Sequence, residues 1–238
     1  MASLAEAFVQ TLLPARCTRC CESLPFAGSR AGVCASCWRE VVPHAGRPCP
    51  SCGVGEVDGE GPCLQCRTTT PPWRAAASFG PYRGVLRELV LDLKHRHRDE
   101  LAAPLAGLLE QAWRRAGWAW PDLIVPVPMP WLRRLRRGFN HADLLARALA
   151  RRLKSPSLGA LRRHGLGRQV GRGRRERLAL HVTTFRARTA VSGRIMLIDD
   201  VLTTGATAAA CTRSLVAAGA DEVFVLTLAR TPNPGRIP

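Results

Sequence analysis

Ile195-Met-Leu-Ile-Asp-Asp-Val-Leu-Thr-Thr-Gly-Ala-Thr207 is the stretch on which the reading of this chain turns. Ile195–Ile198 is an apolar run of the length of a buried strand. Two consecutive carboxylates follow, Asp199 and Asp200. After the spacers Val201 and Leu202, the turn Thr203-Thr-Gly-Ala-Thr207 opens an Ala-rich helical pattern over about 206–218. Backbone N–H groups and hydroxyls of Thr203, Thr204, Gly205, Ala206 and Thr207, at the positive end of a helix, make a cradle for a phosphate dianion. Gly205 lets the backbone approach closely. Asp199 and Asp200 then stand where the vicinal hydroxyls of a ribose carrying that phosphate would lie. Carboxylates accept hydrogen bonds from diols and help retain Mg2+ beside a pyrophosphate. An ordinary helix N-cap accounts for an acid followed by Thr and Gly, but not for strand, acid pair and turn together. The loop predicts a ligand built on a phosphorylated ribose.

Outward from this loop, Gly219 caps the helix and Glu222–Leu228 reads as a final strand. Upstream, Ala75–Phe79 is strand-like. Helical spacing runs through Val85, Leu86, Leu89, Val90 and Leu93, and again through Leu101, Leu105, Leu108 and Leu109. Asp122-Leu-Ile-Val-Pro-Val-Pro128 is a strand ended by prolines. A Leu/Ala/Arg helix is expected from about Trp131 to Leu153, and a basic, Gly-rich loop over roughly 163–177. Strands alternating with helices predict an α/β fold with a parallel, doubly wound sheet, its ligand at the carboxyl ends of the strands.

The first part of the chain has a different character. Nine of ten cysteines precede residue 67, eight of them in four C-x2-C pairs: Cys17/Cys20, Cys34/Cys37, Cys49/Cys52 and Cys63/Cys66. Such a turn brings two thiolates to one tetrahedral Zn2+, and two turns complete a closed four-sulfur site, structural rather than catalytic. Taken in order, the pairs make two zinc ribbons; a crossed arrangement has the same spacing. A disulfide framework and an iron–sulfur cluster are weaker readings. Cys21 and Cys211 fall outside the count. Thr68-Thr-Thr-Pro-Pro72 is an extended linker, so the expected domains are a double zinc ribbon of four-cysteine sites over 1–70 and an α/β domain over 73–238.

Net charge is +17. Residues 130–180 hold fifteen Lys/Arg against Asp143 and Glu176, a field that attracts polyanions, whether phosphates or nucleic acid. Only Lys94 and Lys154 are lysines among 35 basic residues, a skew that genomic base composition also produces. No apolar run approaches the roughly 20 residues of a membrane span, and Met1-Ala-Ser-Leu-Ala-Glu6 lacks the cationic start of a secretion signal. Leu4, Phe8 and Leu12 suit a short docking helix. A cytoplasmic protein is expected.

Ile195–Thr207 resembles the binding motif for phosphoribosyl pyrophosphate (PRPP) of type I phosphoribosyltransferases. Two further segments, Pro126-Val-Pro-Met-Pro-Trp-Leu-Arg-Arg-Leu-Arg-Arg-Gly-Phe-Asn-His-Ala-Asp-Leu-Leu-Ala146 and Leu226-Thr-Leu-Ala-Arg230, with the Cys-rich start, make nearly the whole chain similar to the ComF family. These are competence-associated proteins with a double zinc ribbon and a phosphoribosyltransferase-like domain. The resemblance implies that the backbone at Val127, Pro128 and Met129 contacts pyrophosphate, assisted by Arg133, Arg137 and Asn140, and that Lys94 reaches phosphate. It also implies that 168–177 is a closing loop with Gln169 and Arg177 at its recurrent positions. Leu180, where family members often have Asn, departs from the pattern. His141 and His164 read as incidental.

Two functions are consistent with these residues. As an enzyme, the chain would displace Mg2+-pyrophosphate at the anomeric carbon of PRPP by holding the diphosphate and stabilising charge, Asp199 and Asp200 being its catalytic acids. Thr203 stands where purine-salvage relatives carry an acid, and no glutaminase nucleophile opens the chain, so purine salvage and amidophosphoribosyl transfer are disfavoured. As a binding module, it would grip a nucleotide or single-stranded DNA and dock a DNA-uptake helicase.

Overall fold

The computed structural model describes residues 15–24, 31–55, 57, 61–96, 98–131, 135, 138–163 and 184–231. The expected N-terminal helix at Leu4–Leu12 and the closing loop at 168–177 lie outside the described residues.

The frame is a four-stranded sheet of β1 (Ala75–Pro81), β2 (Leu123–Pro126), β5 (Arg194–Leu202) and β6 (Glu222–Arg230) in the spatial order β1-β6-β5-β2. Every pairing is parallel. β5 is central, and Ile195, Met196, Leu197 and Ile198 are all buried, because alternate side chains enter two different cores. Met196 and Ile198 join the layer made by α3 (Gly84–His95), α4 (Ala102–Ala116) and α5 (His141–Leu153). Ile195 and Leu197 face α6 (Ala206–Val216) and a small antiparallel pair, β3 (Leu161–Arg163) with β4 (Phe185–Ala187). This is the expected doubly wound α/β sheet. Leu89, Val90, Leu93, Leu105 and Leu109 are completely buried, as their spacing requires.

Three elements differ from the sequence expectation. β5 and β6 run past Ile198 and Leu228, to Leu202 and Arg230, so the acid pair lies on a strand and not in a loop: Asp199 pairs with Thr227 and Leu202 with Arg230. The helix expected as one piece from about Trp131 is broken: Trp131 and Leu135 are helical, but residues 138–140 are not, and α5 starts afresh at His141. Gly138 has φ +74, and the extended Asn140 caps the new helix by accepting from the Ala142 N–H at 3.2 Å. The β3–β4 pair has no counterpart in the sequence pattern; it fixes the ends of the segment carrying the basic loop, with Ser214 of α6 donating to the Phe185 carbonyl at 2.8 Å.

Both sheet edges are covered. Beyond β1, His44 N–H donates to the Phe79 carbonyl (3.0 Å), and a Cβ on Gly80 would stand 2.5 Å from the Val42 carbonyl. Beyond β2, Ile124 N–H donates to Pro156 O (2.9 Å) and Leu158 N–H to Ile124 O (3.0 Å).

The N-terminal part is a small zinc-ribbon domain with two cysteine tetrads, Cys17/Cys20/Cys34/Cys37 and Cys49/Cys52/Cys63/Cys66. The pairs are used in order, not crossed. Two short helices, α1 (Ala35–Arg39) and α2 (Leu64–Thr68), carry the second pair of each tetrad, with Cys34 and Cys63 as N-caps and Cys37 and Cys66 within the helices. Among the described residues, no helix is long and apolar enough to cross a membrane.

Candidate functional site

Each cysteine tetrad has the geometry of a closed metal site. Sulfur–sulfur distances are 3.9 Å for Cys17–Cys37, 3.6 Å for Cys20–Cys34 and 3.8 Å for Cys52–Cys63. Four sulfurs at about 2.3 Å from a tetrahedral Zn2+ stand about 3.8 Å apart. Backbone N–H groups turn toward the sulfurs: Cys34 donates to Cys17 Sγ at 3.4 Å and Cys63 to Cys49 Sγ at 3.3 Å. At Cys17, burial opposes ionisation, but these N–H bonds win and bring the thiol down to about 6. A hydrogen bond from Cys52 brings Cys49 down to about 4, while burial pushes Cys66 up to about 12. Thiols crowded this closely oppose one another's ionisation, and a central dication removes the conflict. The donor set fits zinc.

The second site lies at the carboxyl ends of β2 and β5. Asp200 is buried, and two side chains from different helices meet it. Lys94 Nζ, in the last turn of α3, is 2.9 Å from Oδ1, and His141 Nε2, the first residue of α5, is 2.5 Å from Oδ2. Burial disfavours the charged form of Asp200, but the hydrogen bond and charge of His141, with Lys94, outweigh it and hold the carboxyl below the usual range. Asp199 goes the other way, pushed up to about 7 by burial and by the charge of Asp200. Its Oδ1 accepts from the Asp200 N–H at 2.9 Å. Ligand atoms of His141, Asp199 and Asp200 all lie within 4.8 Å of one another.

Past Leu202 the chain turns into α6. Thr203, Thr204, Ala206 and Thr207 are exposed, while Gly205 is buried at φ +79 and begins the helix. Thr204 Oγ1 accepts from the Ala206 N–H at 3.4 Å. A Cβ on Gly205 would stand 2.8 Å from Trp73 Cη2, so glycine is required there by conformation and by space. Val127, Pro128 and Met129 follow β2, whose last residue Pro126 pairs with Ile198 directly before the acid pair. Val127 N–H donates to the Ile198 carbonyl at 2.9 Å, and the Val127 carbonyl accepts from Asn140 Nδ2 at 3.0 Å. Asn140 therefore ties the loop after β2 to the cap of α5.

The structure thus brings together Asp199, Asp200, Lys94, the Thr203–Thr207 turn and the Val127–Met129 loop. Lys94 meets Asp200, where the resemblance assigned it to phosphate. Arg133, Arg137, Gln169 and Arg177 lie outside the described residues. His141, incidental by sequence, is a partner of the acid pair; its only local signal is its place directly after the N-cap Asn140. Arg230 and Trp73, which sequence reasoning did not single out, support the turn from beneath. Two surface hollows among the described residues lie elsewhere, one beside Asp99, Leu144 and Ser157, another beside Pro50, Trp118 and Phe224.

Most of the chain has relatives. It is 36% identical over 228 residues, 92% of this chain and 98% of the relative, to the DNA utilization protein YhgH of Salmonella typhimurium. It is 31% identical over 232 residues to competence protein F of Haemophilus influenzae, covering 90% of this chain and 96% of that one. The chain belongs to the ComF family. Competence protein ComFC of Bacillus subtilis matches at 29% identity over 214 residues, 84% of each chain. No protein-family model matches this ComF chain.

Proposed function

We propose that this ComF protein binds PRPP with Mg2+ at the carboxyl ends of β2 and β5 and acts in DNA uptake. The observation that carries the reading is the acid pair Asp199–Asp200 set on the strand directly before the Thr203–Thr207 turn, whose Thr203, Thr204, Ala206 and Thr207 are exposed where α6 begins. The turn holds the 5-phosphate, and the carboxylates accept hydrogen bonds from the ribose hydroxyls. The backbone at Val127–Met129, fixed by Asn140, lies against the diphosphate. His141, Asp199 and Asp200 offer oxygen and nitrogen donors to one cation, and Mg2+ there would neutralise diphosphate charge. The cysteine tetrads hold two structural zinc ions, in a module spanning residues 1–70 ahead of the phosphate-binding domain at 73–238.

Titration calorimetry with PRPP and Mg2+ tests the site. Wild type binds, and the Asp199→Ala/Asp200→Ala variant loses at least about tenfold in affinity; a wild-type protein that takes up no heat overturns the reading. Release of pyrophosphate in the presence of candidate acceptors tests transfer. The words "DNA utilization" and "competence" in the relatives' names, with the +17 charge, favour a second reading, a non-catalytic module gripping single-stranded DNA beside an uptake helicase. Affinity for an oligonucleotide that falls steeply with salt supports phosphate contacts, and a flat response removes them.

A further inference from the structure

The second cysteine tetrad and the phosphate-binding turn share a mechanical support. Arg230, at the end of β6, is 5% exposed, and its guanidinium reaches three main-chain carbonyls on two modules. Nε donates to Cys52 O at 3.1 Å, and Nη1 donates to Leu202 O at 2.8 Å and also to Thr203 O. A buried guanidinium is costly to desolvate, and its rigid fork suits the task of holding several acceptors in one geometry. Trp73 makes a second tie. Its indole N–H donates to Ser51 O at 2.6 Å, while the far edge of its ring lies over Gly205. Ser51 and Cys52 belong to one metal-binding knuckle, so both ties run from the same turn of the second ribbon to opposite ends of the Leu202–Gly205 segment.

The knuckle is in turn pressed against the sheet. Gly53 has φ +67, and a Cβ there would stand 3.1 Å from the Ala76 carbonyl. Ser78 Oγ donates to Gly53 O at 3.2 Å. Within the knuckle, Gly53 N–H donates to Cys49 O and Cys49 N–H to Val54 O, each at 2.8 Å, and four-sulfur coordination adds the constraint that holds this turn, and with it the Ser51 and Cys52 carbonyls, in one shape.

We infer that Arg230 and Trp73 are positioning residues through which metal occupancy of the Cys49/Cys52/Cys63/Cys66 site sets the geometry of the Thr203–Gly205 turn. Loss of the second metal ion loosens the phosphate site without removing any residue from it. The consequence for affinity rests on the phosphate-binding reading above; the coupling itself does not.

The full-length chain with Cys63→Ser provides the test, since Cys63 is a ligand outside the knuckle and its loss leaves Ser51, Cys52 and Gly53 unchanged. Metal analysis should fall from two zinc to one. Hydrogen–deuterium exchange in peptides covering 202–208 should accelerate about tenfold, with β2 and α4 unchanged, and the PRPP–Mg2+ dissociation constant should rise about tenfold. Arg230→Met, keeping two zinc, should do the same, and combining it with Cys63→Ser should add little, because both act through one path. Arg230→Lys should restore part of the protection but no longer respond to zinc loss, since an ammonium cannot reach both modules. Trp73→Phe, which keeps the ring and removes the indole donor, gives a milder form should Arg230→Met not fold. Unchanged exchange at 202–208 in Cys63→Ser, or additive effects in the double variant, overturn the inference. If wild type fails to bind PRPP, the functional reading falls, and the exchange data still decide the coupling.

Discussion

His44 is a residue whose charge the fold does not tolerate. Its Nε2 is 2.8 Å from Ser78 Oγ, and a Cβ on Gly55 would meet its Nδ1 at 2.5 Å. Burial lowers its pKa to about 4, with Arg115, Arg230 and Arg83 adding repulsion. Its unfolded value is near 6.5, so between about pH 4 and 6.5 the unfolded chain binds the extra proton, and stability rises with pH across that window. Denaturation midpoints of wild type should therefore fall as pH is lowered from about 6.5 to about 4, and His44→Gln should remove that part of the slope. Asn140 carries two bonds of a different kind, a cap on α5 and a tie to Val127 O. Asn140→Ala should cost about 1–2 kcal/mol in denaturant unfolding and weaken PRPP binding through the loosened Val127–Met129 loop.

At the scale of elements, the turn between β5 and α6 depends on Gly205 more than on any side chain. Gly117 at the end of α4 offers a control, because it also has positive φ (+65) yet a Cβ there meets nothing within 4 Å. Gly117→Ala should cost about 1 kcal/mol, the conformational cost alone. Gly205→Ala adds a clash with the Trp73 ring and should cost about 2–4 kcal/mol. Thermal melts of the two variants side by side measure the difference. This turn and its strand were legible in the sequence because every cue is local: an apolar run, two acids, a Thr/Gly string. The start of α5 was not, since the Leu/Ala/Arg pattern runs back to Trp131 and only the left-handed Gly138 and the capping Asn140 interrupt it. His141 and Arg230 escaped for another reason. What they touch, Asp200 and the Leu202, Thr203 and Cys52 carbonyls, is distant in sequence, and no periodicity encodes a partner across the fold.

Across the whole molecule, the two tetrads differ in what surrounds them. Cys17, Cys34 and Cys37 belong to the same buried cluster as Leu89, Leu105 and Leu149, with Arg19 reaching Glu88 and Asp92 on α3. The second tetrad forms a small cluster of its own. Cys37→Ser should therefore lower the melting temperature of the entire α/β layer in one transition, by several degrees more than Cys63→Ser does; equal shifts would contradict the continuity of the first tetrad with the main core. The zinc count per chain and calorimetric melts provide the comparison. The order of the cysteine pairs could not have been read from spacing, because sequential and crossed ligation use the same intervals.

The covered sheet edges govern how this molecule can meet another. Among the described residues, Val42 and His44 lie along β1, and Pro156 to Leu158 lie along β2, where they obstruct the rows of amides and carbonyls that an incoming extended segment needs. A partner that lengthens the sheet has to displace these segments first. One that leaves them in place reads side chains on the helical layers or on the rim of turns above β2 and β5, and only on that rim does it share a surface with the proposed ligand.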